Sequence, residues 1–301
     1  LQHHDKLIQR SICHQPNRMF EWDPNASHPG PSTLALDPRK STSSMKQGFC
    51  RLCQQIKPLC NSHALPDSAF KLIFRNSDGK AIVAVDDART PLHYSSDSWD
   101  TPLLCLQCER DLNERYDSYG IAVFRGKIGK STRTDNGVCF QVVDRRRLKM
   151  FFLSILWRIS ISPHDCYFNI DLPHEWEDAL HAALRTGKNV PSSVFHVGVY
   201  KLNDTTGPKG FTHEHLRSFV VAPFARQYTG FKSVCFLFFG FLIEIFLPAI
   251  PKEFRSRNGL LTGASPTFMA PYQEFDLVPE IMDMLVRALA KHKSGLSALA
   301  K

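Results

Sequence analysis

The chain has 301 residues, of which 43% are hydrophobic and 22% are charged. These fractions are typical of a globular protein and exclude a fibrous or wholly disordered chain, and the length allows one large domain or two smaller ones. Lys and Arg number 37 against 29 Asp and Glu, which gives a net charge of +8 and is compatible with a polyanionic partner such as nucleic acid.

The chain begins with a segment that differs in composition from the rest. Residues 1–44 are rich in Pro, Ser and Asn and show no sustained hydrophobic period, so we predict a disordered leader. Met45 is a candidate start of the natural protein. The first residues also lack the apolar segment of a secretory signal peptide, which favours a cytoplasmic location.

Residues 45–120 are predicted to form a compact unit. The apolar runs at 69–74 and 80–85 flank an Asp-Gly pair, a strong turn signal, and are predicted to be the two strands of a hairpin. A helix is predicted to follow Cys105, with Leu112, Tyr116 and Tyr119 on its buried face. Glu114 and Asp117 are expected on its solvated face.

Residues 121–147 form a predicted basic connector. It carries seven Lys or Arg between positions 125 and 147. A basic edge of this kind suits the phosphates of nucleic acid, although a solvated loop and helix start would have the same composition. The predicted nucleic-acid contacts are Arg125, Lys127, Lys130, Arg145, Arg146 and Arg147.

Residues 148–301 are predicted to be an α+β C-terminal domain. Apolar residues at helical spacing predict a buried helix over 148–160, and an amphipathic helix over 173–188 ends at Gly187. Strand signals follow at 193–202 and 218–224, and a helix near Pro279 closes the domain. His213 and His215 have the spacing of metal ligands, but no third ligand is apparent, so we expect them in a loop.

The segment 231–250 is strongly apolar and raises the question of a membrane span. Its longest unbroken apolar run, from Val234 to Ile243, has ten residues and is followed by Glu244 and Pro248. A spanning helix needs about 20 apolar residues, so the segment favours one or two buried strands, with a membrane-associated protein as the remaining alternative.

Two pairs of cysteines carry the strongest chemical signal in the chain. Cys50-x-x-Cys53 and Cys105-x-x-Cys108 are separated by 51 residues. Each two-residue gap lets both thiolates face one ion, and four such sulfurs complete a tetrahedral structural zinc site. Cys60 or His63 could replace one of the four. In a reducing compartment, paired cysteines indicate metal binding more than a disulfide.

We call each turn that carries a CxxC pair a knuckle. The order of one knuckle, a hairpin and a second knuckle that begins a helix resembles the treble clef of HNH (ββα-metal) endonucleases. His63 and Pro66 in "SHALP" match the first motif of that family, and "LLCLQCE", Leu103 to Glu109, matches the second. The same pattern, with "SILWR" at 154–158, also resembles a group of uncharacterised bacterial proteins over residues 48–160. The fold implied is a zinc-bound ββα module joined to the α+β domain.

The nuclease resemblance implies a reaction. His63 would be the general base that activates water, and Mg²⁺ or Mn²⁺ would stabilise the charge on phosphorus, with Glu109 as a ligand. Ser62 stands where the family has Asp or His, and Glu109 stands where it has His. The alternative is therefore a non-catalytic, zinc-stabilised module that binds nucleic acid or protein, with His63 holding the loop by hydrogen bonds to backbone.

Overall fold

The structure is a computed structural model, and it describes residues 46–76, 81–83, 93–190, 194–207 and 210–296. It is a mixed α+β fold, as predicted. The predicted leader lies outside the described residues.

The N-terminal part is built on a small antiparallel sheet with the strand order β1-β2-β5. Its strands are β1 (Gln47–Phe49), β2 (Ile56–His63) and β5 (Asp100–Cys105). A two-stranded ribbon of β3 (Ala81–Val83) and β4 (His93–Ser95) lies between β2 and β5 in the chain.

The hairpin predicted for 69–74 and 80–85 is wrong in its first half. Residues Asp67–Asn76 form a helix, α1, while β3 does pair in a ribbon, with β4. Ala69, Phe70 and Ile73 are buried, a spacing that places one face of a helix on the core. Pro66 and Asp67 are signals of a helix start, and they explain why the apolar run that follows them is helical. The Asp-Gly pair itself lies outside the described residues.

After β5 the chain is helical from Leu106 to Phe124. It comprises α2 (Leu106–Leu112), a π-helical turn (Asn113–Asp117) and α3 (Ser118–Phe124). Leu112, Tyr116 and Tyr119 are buried, as the spacing predicted. The prediction for Asp117 is wrong: this side chain is 7% exposed and paired, because the π-helical turn directs it inward.

The C-terminal part contains a seven-stranded sheet with the order β6-β7-β12-β8-β11-β10-β9. All neighbours are antiparallel except β12 and β8, which are parallel. The strands are β6 (Lys130–Thr134), β7 (Gly137–Gln141), β8 (His196–Asn203), β9 (Phe224–Tyr228), β10 (Phe231–Phe238), β11 (Phe241–Leu247) and β12 (Phe268–Glu274).

The apolar segment 231–250 is the hairpin of β10 and β11, almost entirely buried, so the prediction of two buried strands is confirmed. The predicted strand at 218–224 is not formed; only Phe224 belongs to a strand, β9. Within the described residues, none of the helices has both the length and the apolar character needed to cross a bilayer.

Four helices accompany this sheet: α4 (Arg145–Ile161), α5 (His174–Thr186), α6 (His213–Arg217) and α7 (Pro279–Lys293). Helix α4 is almost fully buried, as predicted, and contacts the π-helical turn, α3, α5 and β11. One contiguous group of buried side chains runs from Cys50 through α4 to Ala270. The N-terminal and C-terminal parts therefore share a core, and the predicted domain boundaries stay predictions.

Candidate metal centre and the adjoining pocket

The first cysteine knuckle joins β1 to β2. Cys50 directly follows β1, a tight turn comes next, and Gln54 has a φ of 59°, so the backbone reverses over five residues. The Gln54 amide donates to the Cys50 carbonyl and the Cys50 amide to the Gln55 carbonyl. His181 of α5 donates from Nε2 to the Leu52 carbonyl at 2.8 Å, which fastens the knuckle to the helices behind it.

The second knuckle is the junction of β5 and α2. Cys105 is the residue before the first helical turn, and Cys108 lies in that turn. Pairing of β5 with β2 brings this junction against the first knuckle, where the Arg51 amide donates to the Leu103 carbonyl at 3.2 Å. The two pairs predicted from spacing are thereby brought together across the sheet.

The four thiol sulfurs of Cys50, Cys53, Cys105 and Cys108 all lie within 4.8 Å of one another. Sulfurs around a tetrahedral zinc ion, each about 2.3 Å from the metal, are about 3.8 Å apart. Cys53 and Cys105 sulfurs are 4.0 Å apart, so a small contraction suffices to bind the ion. The donor set therefore fits a structural zinc ion. Cys60 and His63, the alternatives from sequence, are not part of this group.

Backbone amides prepare one of these thiols for a metal. Burial raises the pKa of Cys50, but hydrogen bonds from backbone amides, that of Cys105 first, outweigh burial and lower the pKa to about 7. The Cys105 amide lies 3.3 Å from the Cys50 sulfur. Burial raises the pKa of Cys53 and of Cys108, so these thiols need the charge of a metal to ionise.

A pocket of about 300 Å³ lies beside the cysteine cluster. Its wall includes both His63, the last residue of β2, and Glu109, in the first turn of α2. The two residues that sequence reasoning proposed for catalysis are therefore brought into one cavity, although their roles stay predictions. The other lining residues are Pro66, Asp67, Ser68, Arg110, Asn113, Asp117, Ile121 and Arg158.

His63 is partly exposed and held on two sides. Its Nε2 is hydrogen-bonded to Ser98 Oγ at 2.9 Å and lies 4.0 Å from Asp67 Oδ1. The strand register places Asp100 directly opposite His63 on β5, so both side chains leave the same face of the sheet. The sequence analysis does not place Asp67 near His63, because it predicts a strand for the apolar run at 69–74 that follows Asp67.

Glu109 is tied to the residue next to His63. The Ser62 hydroxyl is 1% exposed and donates to Glu109 Oε2 at 2.8 Å, while it accepts the Leu104 amide at 3.2 Å. Ser62 is therefore a buried hydrogen-bond donor to the Glu109 carboxylate.

An ion pair that sequence reasoning missed forms one side of the pocket. Arg158 of α4 donates to both carboxylate oxygens of Asp117, at 2.9 and 2.7 Å, and to the His63 carbonyl at 3.1 Å. The available signal was the single charge in the apolar run from Met150 to Ile161, since a charge in a buried run requires a buried partner.

The six predicted nucleic-acid contacts fall into two groups. Arg125, Lys127, Lys130 and Arg146 are exposed. Arg145 donates to the Thr262 and Thr267 carbonyls, and Arg147 donates to the Glu114 and Arg115 carbonyls and lies over the Tyr119 ring. The guanidinium groups of Arg145 and Arg147 thus hold neighbouring backbone, while the other four cations face solvent.

His213 and His215 are not loop residues, because they lie in the short helix α6. His215 Nδ1 accepts the Thr212 amide as part of the helix cap. His213 stacks on Tyr272, with ring centres 6.2 Å apart. Neither belongs to a group of three metal-ligating side chains among the residues described here.

Comparison of the chain with protein-family models, with curated proteins and with solved structures gives no match.

Proposed function

We propose that this protein is a zinc-stabilised, metal-dependent endonuclease of HNH-like type, acting on DNA or RNA. One observation carries the proposal: His63 and Glu109 line the same pocket beside a four-cysteine cluster. A treble clef as the frame of that pocket is supported by the first knuckle, the pairing of β2 with β5, and a second knuckle that begins a helix, with α1 and the ribbon inserted between the two strands.

The proposed reaction is hydrolysis of a phosphodiester. His63 takes a proton from the attacking water, and Ser98 holds the ring in place through the 2.9 Å hydrogen bond to Nε2. The Arg158 bond to the His63 carbonyl fixes the end of β2, so that the imidazole keeps its position on the pocket wall. Arg110, also on that wall, is available to a phosphate oxygen.

Glu109 would contribute a carboxylate oxygen, the donor type that Mg²⁺ and Mn²⁺ prefer. A divalent ion held by Glu109 would supply positive charge to the phosphoryl group and the leaving oxygen.

A second candidate function has its own observation. Glu109 already accepts a hydrogen bond from Ser62, and among the described residues the only group of three or more metal-ligating side chains is the cysteine cluster. Both facts favour a non-catalytic module, stabilised by zinc, that binds nucleic acid through its basic surface.

The two candidates are separated by incubating the protein with plasmid DNA and with RNA, in the presence of Mg²⁺, Mn²⁺ or Ni²⁺. A nuclease predicts cleavage that His63→Ala lowers by about 10²- to 10⁴-fold, the usual contribution of a general base. His174→Ala, at an exposed histidine outside the pocket, is the matched control. Cleavage that His63→Ala leaves intact removes His63 as the base. Salt-dependent binding without cleavage under any metal favours the binding module.

A further inference from the structure

A cluster of cations lies around the turn that joins β10 to β11. The guanidinium carbons of Arg125 and Arg217 are 5.7 and 6.0 Å from the centre of the Phe239 ring in that turn. Lys201 Nζ donates to the Gly240 carbonyl at 3.0 Å. A Cβ added to Gly240 would lie 2.9 Å from Lys201 Nζ and 3.1 Å from Arg217 Cγ. The residue that follows α3 and residues of β8 and α6 therefore converge on one turn.

Two more basic side chains extend this cluster. His213 stacks on Tyr272, which pairs with Lys201 across β12 and β8. Arg133 lies close enough for its charge to act on both Lys201 and His213. Burial first, and the charges of Arg133 and Arg217 next, lower the pKa of Lys201 to about 8. Burial, followed by the charges of Arg133 and Lys201, lowers the pKa of His213. We define the cationic cluster as Arg125, Arg133, Lys201, His213 and Arg217.

In the part of the chain that the structure describes, no carboxylate forms an ion pair with Arg125, Arg133, Lys201 or Arg217. Lys201 is only 3% exposed, and the buried Nδ1 of His213 has no hydrogen-bond partner. Gathering like charges around a desolvated ammonium is unfavourable, and an anion bound among them would relieve the repulsion.

The cluster is adjacent to the pocket that holds His63. Ile121 of α3 lines that pocket, and the Arg125 amide donates to the Ile121 carbonyl at 3.0 Å. One helical turn, about 5.4 Å along the axis, therefore separates the pocket wall from Arg125. A nucleic-acid strand bound at Arg125 can therefore extend to the pocket.

We propose that the cationic cluster binds the backbone phosphates of a nucleic-acid strand and leads that strand to the pocket. Arg125, Arg133 and Arg217 are exposed and contact the phosphates, while Lys201 adds a fixed charge beneath them. This role gives the C-terminal sheet a part in substrate binding. The link to the pocket rests on the proposed nuclease function, but binding by the cluster does not.

The test is binding without added divalent cations, so that no cleavage occurs. Fluorescence anisotropy of labelled single-stranded DNA and RNA is measured over a range of salt concentrations. The double variant R125Q/R217Q is compared with R185Q/K188Q, which removes the same charge from exposed positions near the end of α5. We expect R125Q/R217Q to weaken binding at least tenfold and to lower the slope of log K against log salt by about 1.4, for two lost phosphate contacts.

Equal losses in the two double variants would overturn the proposal, because they would show a general effect of net charge. Competition by inorganic phosphate or a mononucleotide as strong as that by the oligonucleotide would also overturn it, since the site would then serve a free phosphate compound. A loss of binding that is confined to R125Q/R217Q supports the cluster even if the unmodified protein cleaves no nucleic acid. The two proposals can therefore fail separately.

Discussion

Arg158 and Asp117 form a bidentate ion pair in which the arginine is 1% exposed, and the same guanidinium group bonds the carbonyl of His63. The two residues are 41 positions apart and lie on α4 and in the π-helical turn. Through this ion pair and the bond to the His63 carbonyl, helix α4 fixes both the helical segment after the second knuckle and strand β2, which carries His63. The pair therefore joins the pocket to the shared core.

Replacing Arg158 is expected to be strongly destabilising. Arg158→Met removes the partner of a buried carboxylate, a change that typically costs about 3–5 kcal/mol in the free energy of unfolding. Urea denaturation measures the loss. Arg146→Met, at an exposed arginine of the same helix, is the control and should stay within about 0.5 kcal/mol of the unmodified protein. Similar values for the two variants would show that the pair adds no net stability.

The cysteine cluster is expected to hold one zinc ion per chain. Cys108→Ser should abolish zinc binding and lower the unfolding temperature on the order of 10 °C, because a structural zinc ion contributes several kcal/mol to folding. Metal analysis of the purified protein and thermal unfolding measure both effects. Cys60→Ser is the control, since Cys60 is a nearby half-buried thiol outside the cluster. Retention of zinc by Cys108→Ser would contradict the assignment.

The parts of the site that could be predicted from the sequence are those whose residues lie close together in the chain. Each CxxC pair fixes two sulfurs within one turn, and "SHALP" placed His63 next to the first pair. The association of the two pairs, and of His63 with Glu109, follows once β2 pairs with β5. The role of Arg158 could not be found in this way, since its partner depends on a π-helical turn that shifts Asp117 inward.

The fold was predictable where hydrophobic periodicity was unambiguous. Helices α4, α5 and α7 carry long periodic patterns, and the apolar run at 231–250 had the length of two strands. The strand predicted for residues 69–74 is wrong because six residues that are mostly apolar fit a buried strand and a short buried helix equally well. The predicted nucleic-acid contacts in the connector had a different difficulty. The residue types show that the segment is basic, but only the tertiary contacts distinguish Arg145 and Arg147, which donate to backbone carbonyls, from the exposed Arg125.

Ser62→Asp is expected to make stability depend on a divalent cation. The new carboxylate would lie beside Glu109, whose oxygen is now 2.8 Å from the Ser62 hydroxyl, and two like charges this close destabilise each other. Without added cation the variant should unfold at a lower temperature than Ser62→Ala, which loses two hydrogen bonds worth about 1 kcal/mol each but adds no charge. Added Mn²⁺ should raise the unfolding temperature of Ser62→Asp and leave that of Ser62→Ala unchanged. The absence of a selective response to Mn²⁺ would argue against a cation site between these positions.

Mild acid is expected to destabilise the protein through His196, at the start of β8. The side chain is 3% exposed, and its buried Nδ1 has no hydrogen-bond partner. Burial first, then the charges of Lys149 and Arg255, lower its pKa to about 4. Above pH ~6.5 the residue is neutral in both states and adds no pH dependence. As the pH falls from there towards 4, the unfolded chain takes up the proton and the native protein does not, so stability falls by up to about 1.4 kcal/mol per pH unit.

Chemical denaturation at pH 7 and at pH 4.5 measures this effect as the difference between the two free energies of unfolding. His196→Gln cannot take up the proton in this range, so its difference should be smaller than that of the unmodified protein. His174→Gln removes an exposed histidine from the start of α5 and should keep the original difference. If His196→Gln and His174→Gln lose the same stability on acidification, the buried imidazole of His196 is not the group responsible, because of these two residues His196 alone has a buried nitrogen without a hydrogen-bond partner.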